Sequence, residues 1–365
     1  MAAVGFACKK QPPTTHEEVA EPPLPSSYSA NAEMVAAHGP VQSAPLVAPK
    51  ILFAGQDRPI AIQIHADDIY WVNNGTPEPS VNTQHDAGTD VNSVYESPTS
   101  NGAIMRGAKH GGEATVLYPA QDFAESLVCD NDSIWWTTKH AVHRASIKGG
   151  PLTTIFKTED AFGSPTSLVV NSNRLAFGVI HPSLGGIRVY DSRGKRWLEP
   201  LPVRGGSAAM AITAKYLFAY SHQQRTIGRL SFADGKVDIV QSDVKGCSAM
   251  VTDDKELYWV EPGDARVRAL AFDSTEARVV SQGFSHPWDL AVDASHLWLT
   301  DRKAGTILRV SKQGGRAQIV AQNQTNPLSL AVDDEFVYWV EPDKGTIVRV
   351  PKPPVEQAPP PPSAN

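Results

Sequence analysis

Histidine is the residue type to ask about first, because eleven of them are enough for a catalytic metal centre or a general base. His140, His143, His181 and His222 stand in or beside the links between short apolar runs, and His286 stands in the segment SHPWDL. A metal-dependent enzyme needs three or four protein ligands converging on one point, with a coordination position left open. The spacings between these histidines do not repeat, so they do not read as such a set. The acidic stretch DAGTDVNSVYE from Asp86 lacks the spacing of an EF-hand loop. There is no nucleophile elbow, no phosphate loop and no HExxH. Cys8, Cys129 and Cys247 are too few and too scattered for a disulfide framework or a zinc cluster. No catalytic residue, metal ligand or cofactor is assigned on this basis. What remains is a polar and aromatic set suited to recognition: Arg58, His286, Trp288, Asp289 and Asn326.

The elements that position this set follow from a repeat. The stretch LAVDDEFVYWVEPDKGTIVRV, from Leu330, matches LAVDASHLWLTDRKAGTILRV, from Leu290, residue class by residue class. The first residue of the aromatic pair serves as anchor. Walking back from Tyr338 finds Trp298, Tyr258, Phe218, Ala176, Trp135 and Tyr70, in steps of 40, 40, 40, 42, 41 and 65. The last step carries an insertion, about 73–101. Eleven residues upstream of each anchor lies a slot holding Pro59, Ala124, Pro165, Ser207, Cys247, Pro287 or Pro327.

Each copy reads as four short strands: a small-and-aliphatic run, a turn containing Asp, an aromatic run, and a Gly-led run before a fourth. Val, Ile, Tyr and Trp punctuated by Gly and Asp are β by propensity. A four-stranded repeat of this length is a propeller blade. The seventh copy lacks its fourth strand, while KILFAG, from Lys50, occupies the equivalent place before the first copy. The N-terminal strand is therefore expected to complete the last blade and close an all-β, seven-bladed β-propeller over residues 50–352.

With those residues in view, LYWV, VYWV and WLTD, each followed by a Gly-led I-x-R-V, resemble YWTD and NHL-type propeller repeats. The resemblance implies an architecture shared by extracellular binding modules and by an enzyme branch with metal ligands around the central channel. Blades three and four depart from it, with Ala176–Phe177 and Phe218–Ala219 in place of the aromatic pair. Fold alone does not give function.

The register sorts scaffold from site. Six of the eight tryptophans fall in second-strand slots and read as packing between blades. The recurrent Asp130, Asp253, Asp293 and Asp333 suit a turn whose N–H groups need an acceptor. With the recurrent arginines Arg106, Arg144, Arg229, Arg309 and Arg349 they read as structure, since a ligand site breaks symmetry. Cys129 fills an aliphatic slot, and Cys247 lies across the ring from it, beyond the reach of a disulfide. Symmetry breaks at Arg58, His286 and Asn326, which precede the proline slot, at Trp288 just after it, and at Asp289. Asp289 is the one charged residue where other blades carry Ala or Ser. Blades six, seven and one adjoin, so these five residues are expected to cluster under the insertion. Polar residues on exposed loops are the plainer reading of the same pattern.

The ends differ in character. Residues 9–49 and 353–365 are rich in Pro, Ala, Ser and Glu and are read as disordered, since they lack the apolar content to offset ordering entropy. MAAVGFACKK places a short apolar run before Cys8 and resembles the end of a bacterial lipoprotein signal, residues 1–8, though a charged n-region is missing. A net charge of −6 with mixed signs argues against a nucleic-acid binder. No apolar run is long enough to span a bilayer as a helix. The sequence therefore points to a monomeric binding scaffold of the bacterial cell envelope, periplasmic or at the outer membrane or cell surface. It would meet the membrane only through a lipid on Cys8 and take a protein or envelope ligand. The alternatives are a channel-mouth lyase or hydrolase using a metal, and a cytoplasmic scaffold.

Overall fold

The aromatic runs become the second strand of each blade. In Phe336–Glu341 and Glu256–Glu261 every residue after the first is buried, where a half-exposed strand would alternate. Both faces are covered because neighbouring blades pack on either side, and that is why these runs are continuously apolar. Trp71, Trp136, Trp259, Trp298 and Trp339 are all fully buried there.

The computed structural model describes residues 39–41, 45–75, 101–158, 163–171, 173–180, 185–198 and 209–354. These form seven four-stranded antiparallel sheets in a ring, a seven-bladed β-propeller. Six sheets use four consecutive strands. The seventh takes Leu330–Val332, Phe336–Glu341 and Thr346–Pro351 and adds Lys50–Phe53 as its outermost strand. Lys50 pairs with Arg349, Ile51 with Val348 and Phe53 with Ile347. The ring closes as its repeat count requires.

Blades are joined by devices that recur with the repeat. The Gln56 N–H donates to the Gly345 carbonyl at 2.9 Å, and its side-chain oxygen accepts the Trp71 indole N–H at 3.0 Å. One glutamine thus ties blade seven to blade one. Gln121 with Gly102 and Gln324 with Gly305 make the same backbone link. Gly345 stands at φ 62°, where a Cβ would overlap the Gln56 carbonyl.

The turn aspartates do what their spacing suggests, and more. Asp293 accepts the Ser295 and His296 N–H groups and the Trp298 indole, and then the ammonium of Lys352 at 2.7 Å from the next blade. Lys312 reaches Asp253 and Lys109 reaches Asp333 in the same way. Burial alone would raise the Asp293 pKa, but Lys352 and the N–H donors outweigh it and bring it down to about 2. An unfolded aspartate titrates near 3.9. The contribution is therefore complete above about pH 4 and is lost as pH falls toward 2, and it amounts to roughly 2–3 kcal/mol. Urea midpoints at about pH 5 and pH 2.5 should differ markedly less in Asp293→Asn than in the wild type. Equal acid sensitivity in both would refute the assignment.

Of the stretch read as a disordered tether, Gly39–Val41 attaches to the ring. Val41 N–H donates to Ala317 O and Ile319 N–H to Val41 O, both at 2.8 Å, beside the outer strand of blade six. Arg316 Nε donates to Gly39 O at 3.1 Å. In the tail, the Pro353 and Pro354 carbonyls accept from the Arg309 guanidinium. Cys8 and residues 76–100 of the insertion lie outside the described residues.

Candidate functional site

The first strands of all seven blades face the ring axis and line an open cavity of about 530 Å³. Its wall is mostly apolar, from Ile62, Leu127, Leu168, Met210, Met250, Leu290 and Leu330. Against that wall stand Arg58, Glu125, Trp288 and Asp289.

Arg58 occupies the turn before the first strand of blade one at φ 55°. Phe123, Gly246 and Asn326, in the same slot of blades two, five and seven, are also at positive φ. A left-handed turn thus recurs at this blade entrance, though not at Ser164 or His286, and costs about 1–2 kcal/mol where a non-glycine residue adopts it. The Arg58 side chain is exposed and makes no hydrogen bond or ion pair with the described residues.

Three predicted residues meet through a fourth that sequence reasoning missed. The His286 ring stacks on Trp288 at 5.6 Å and 28°. The Arg302 guanidinium lies 4.7 Å from the Trp288 ring. Asn326 Oδ1 accepts Arg302 Nε at 2.7 Å, and Asn326 Nδ2 donates to Asp343 at 3.1 Å. The buried Asp301 accepts the N–H groups of Ser285 and His286 and so fixes the approach. Trp288 is thereby held by contacts with an imidazole and a guanidinium. Arg302 had a sequence signal: it is the one arginine in a slot that elsewhere holds Asn74, Lys139, Ile180, His222, Pro262 and Pro342.

Asp289 lines the same cavity, but its carboxylate has partners. Oδ1 accepts Leu290 N–H and Oδ2 accepts Leu330 N–H of blade seven, both at 2.9 Å. Burial raises its pKa, and these donors with Ser329 only partly offset that. Ser126, in the equivalent slot, accepts Leu168 N–H from blade three at 3.1 Å. The one charged residue of its slot thus also serves as an interblade latch.

Glu125 is the second residue that the sequence reading passed over. It occupies the Trp288 position in blade two, where other blades carry Ile60, Thr166, Ser248 and Leu328. Its side chain is exposed to the cavity and has no partner among the described residues. The surrounding wall desolvates it and raises its pKa. It is the one charged residue of the slot in which Trp288 stands out, and that was its signal in the sequence.

The remaining candidates are occupied elsewhere. His143 sits between the Thr138 and Thr154 hydroxyls, with burial lowering its pKa. Among the described residues no three His, Cys, Asp or Glu side chains are placed to hold a metal ion. Cys129 and Cys247 are free. Burial first, then Asp130, pushes the Cys129 thiol up to about 12, and burial raises Cys247 further. Neither is primed as a nucleophile. The roots of the insertion are pinned by Asn74, which donates to Ala124 O, and Asn101, which donates to Asp57.

No family model matches the chain. Among solved structures it is similar to a streptogramin B lyase, with TM-score 0.61 and 17% identity over 83% of this chain and 96% of that one. It is also similar to the WD40 domain of Neurospora crassa Pan2, with TM-score 0.60 and 12% identity over 82% and 91%. A third likeness is to YCF48 bound to D1 peptide, with TM-score 0.60 and 14% identity over 88% and 99%. These likenesses are of fold, and they include an enzyme beside a peptide-bound propeller.

Proposed function

We propose that this chain is a non-enzymatic recognition propeller of the bacterial cell envelope, acting as a monomer and held there by a lipid on Cys8. Its ligand, a protein or other envelope material, docks on the face that carries Arg58, His286, Trp288, Asp289 and Asn326. The observation that carries the reading is Trp288, held by His286 and Arg302 at an open axial cavity. A large aromatic held rigid at low entropic cost is the kind of anchor that dominates binding energy. The closed ring supports this, because it fixes the surrounding loops before a ligand arrives.

Site-directed photo-crosslinking tests it. A photoreactive residue at Ile60, beside the cavity, is compared with one at Val237 on the exposed outer edge of blade four, in solubilised envelope material. The Ile60 probe should give a discrete adduct that Trp288→Ala abolishes, while the Val237 probe gives none. Adducts at Val237 alone, or at neither position, would overturn the reading.

A further inference from the structure

Besides the engaged Asp289, the axial cavity offers one cationic and one anionic side chain, and neither has a partner among the described residues. Arg58 and Glu125 belong to adjacent blades, both line the cavity, both are exposed, and neither pairs with any described residue. By contrast, the turn aspartates Asp253, Asp293 and Asp333 are each met by a lysine from the neighbouring blade. Carboxylates and cations that serve the scaffold here find each other. The two at the cavity do not, and they stand against an apolar wall that strengthens any charge pairing made inside it.

From this juxtaposition we infer that the cavity binds a short peptide through its two free ends, with Glu125 receiving the terminal ammonium and Arg58 the terminal carboxylate. This deepens, and rests on, the reading of the cavity face as a recognition site. The guanidinium presents a planar fork that matches a carboxylate. A carboxylate in a partly desolvated place gains most from an approaching cation. The apolar first-strand residues of the cavity wall, with the Trp288 ring of blade six, accept aliphatic side chains. A volume of about 530 Å³ lies within the range that encloses a small ligand of this kind. A ligand of one charge sign would satisfy one of the two groups and leave the other facing it unpaired or repelled.

The test uses the full chain and a pooled library of free tripeptides. The same library is also used N-acetylated and, separately, C-amidated, with binding read by saturation-transfer NMR and by competition. The free library should bind, and each end block should weaken binding about tenfold or more, the loss expected for one charge-assisted contact. Glu125→Gln should weaken the free library but leave the acetylated one unchanged. Arg58→Asn, which keeps a residue tolerant of the left-handed backbone, should do the same for the amidated library. Because both side chains lack partners among the described residues, neither variant should move the urea midpoint. No signal from the free library, or binding indifferent to either end block, overturns the inference. If the Ile60 adduct still forms while the free library is silent, the cavity face recognises something else, and only this inference fails.

Discussion

Replacing Gly345 with alanine should lower stability by about 2–4 kcal/mol, one of the largest effects of any single methyl group in this molecule. Two penalties combine. The backbone there is at φ 62°, and the added carbon would overlap the backbone carbonyl of Gln56, whose N–H bonds to Gly345 itself. Neither partner can yield without opening the link between blades seven and one. Gly55 supplies the control, since it has φ 68° and no atom near its would-be Cβ. Gly55→Ala should therefore cost only the backbone part, roughly 1 kcal/mol. Equal urea-midpoint shifts in the two variants would show that the close approach is not what matters.

Phe53→Ala should cost about 3–5 kcal/mol and change the association state as well. Phe53 is buried at the end of the closing strand, stacks on Trp71 at 4.9 Å, and lies where a side chain on Gly107 would stand. It fastens the outer strand of blade seven to the middle of blade one. Losing it leaves a cavity and frees Lys50–Phe53 to leave the sheet, exposing the edge of Thr346–Pro351. An unprotected edge pairs with other chains. Sedimentation should then show concentration-dependent oligomers, which Phe53→Leu should largely prevent. A monomer that loses less than about 1 kcal/mol would mean that closure depends on the backbone ladder alone.

The architecture was legible because blades cannot bury their own faces and must repeat one solution. The register of the aromatic pair located all seven blades, and the unpaired fourth strand of the last one located its partner at Lys50. The site was legible only where a residue type departed from its slot. His286, Trp288 and Asn326 stood out in this way and do come together. They meet through Arg302, which lies 24 positions before Asn326 and reaches it because loops of adjacent blades cross at the ring entrance. Spacing within one repeat contains no trace of that crossing. Asp289 shows the converse limit. Its charge was visible in the sequence, but its engagement with Leu290 and Leu330 N–H follows from how first strands crowd around the axis.

The clip at Val41 decides how the molecule answers a pull. Tension on the chain upstream of Gly39 reaches blade six before it reaches the closing strand. It is met by the two backbone bonds of Val41 and by Arg316. Only when these part does the load pass to Lys50–Phe53, whose departure would open the ring. Resistance to force is a matter of rate, so a contact that yields first and re-forms on release protects the one behind it. At the other end, Pro353 and Pro354 are held by Arg309 of the same blade. Blade six is thus the mechanical anchorage of the propeller, a fuse in series with the seam that keeps the ring shut.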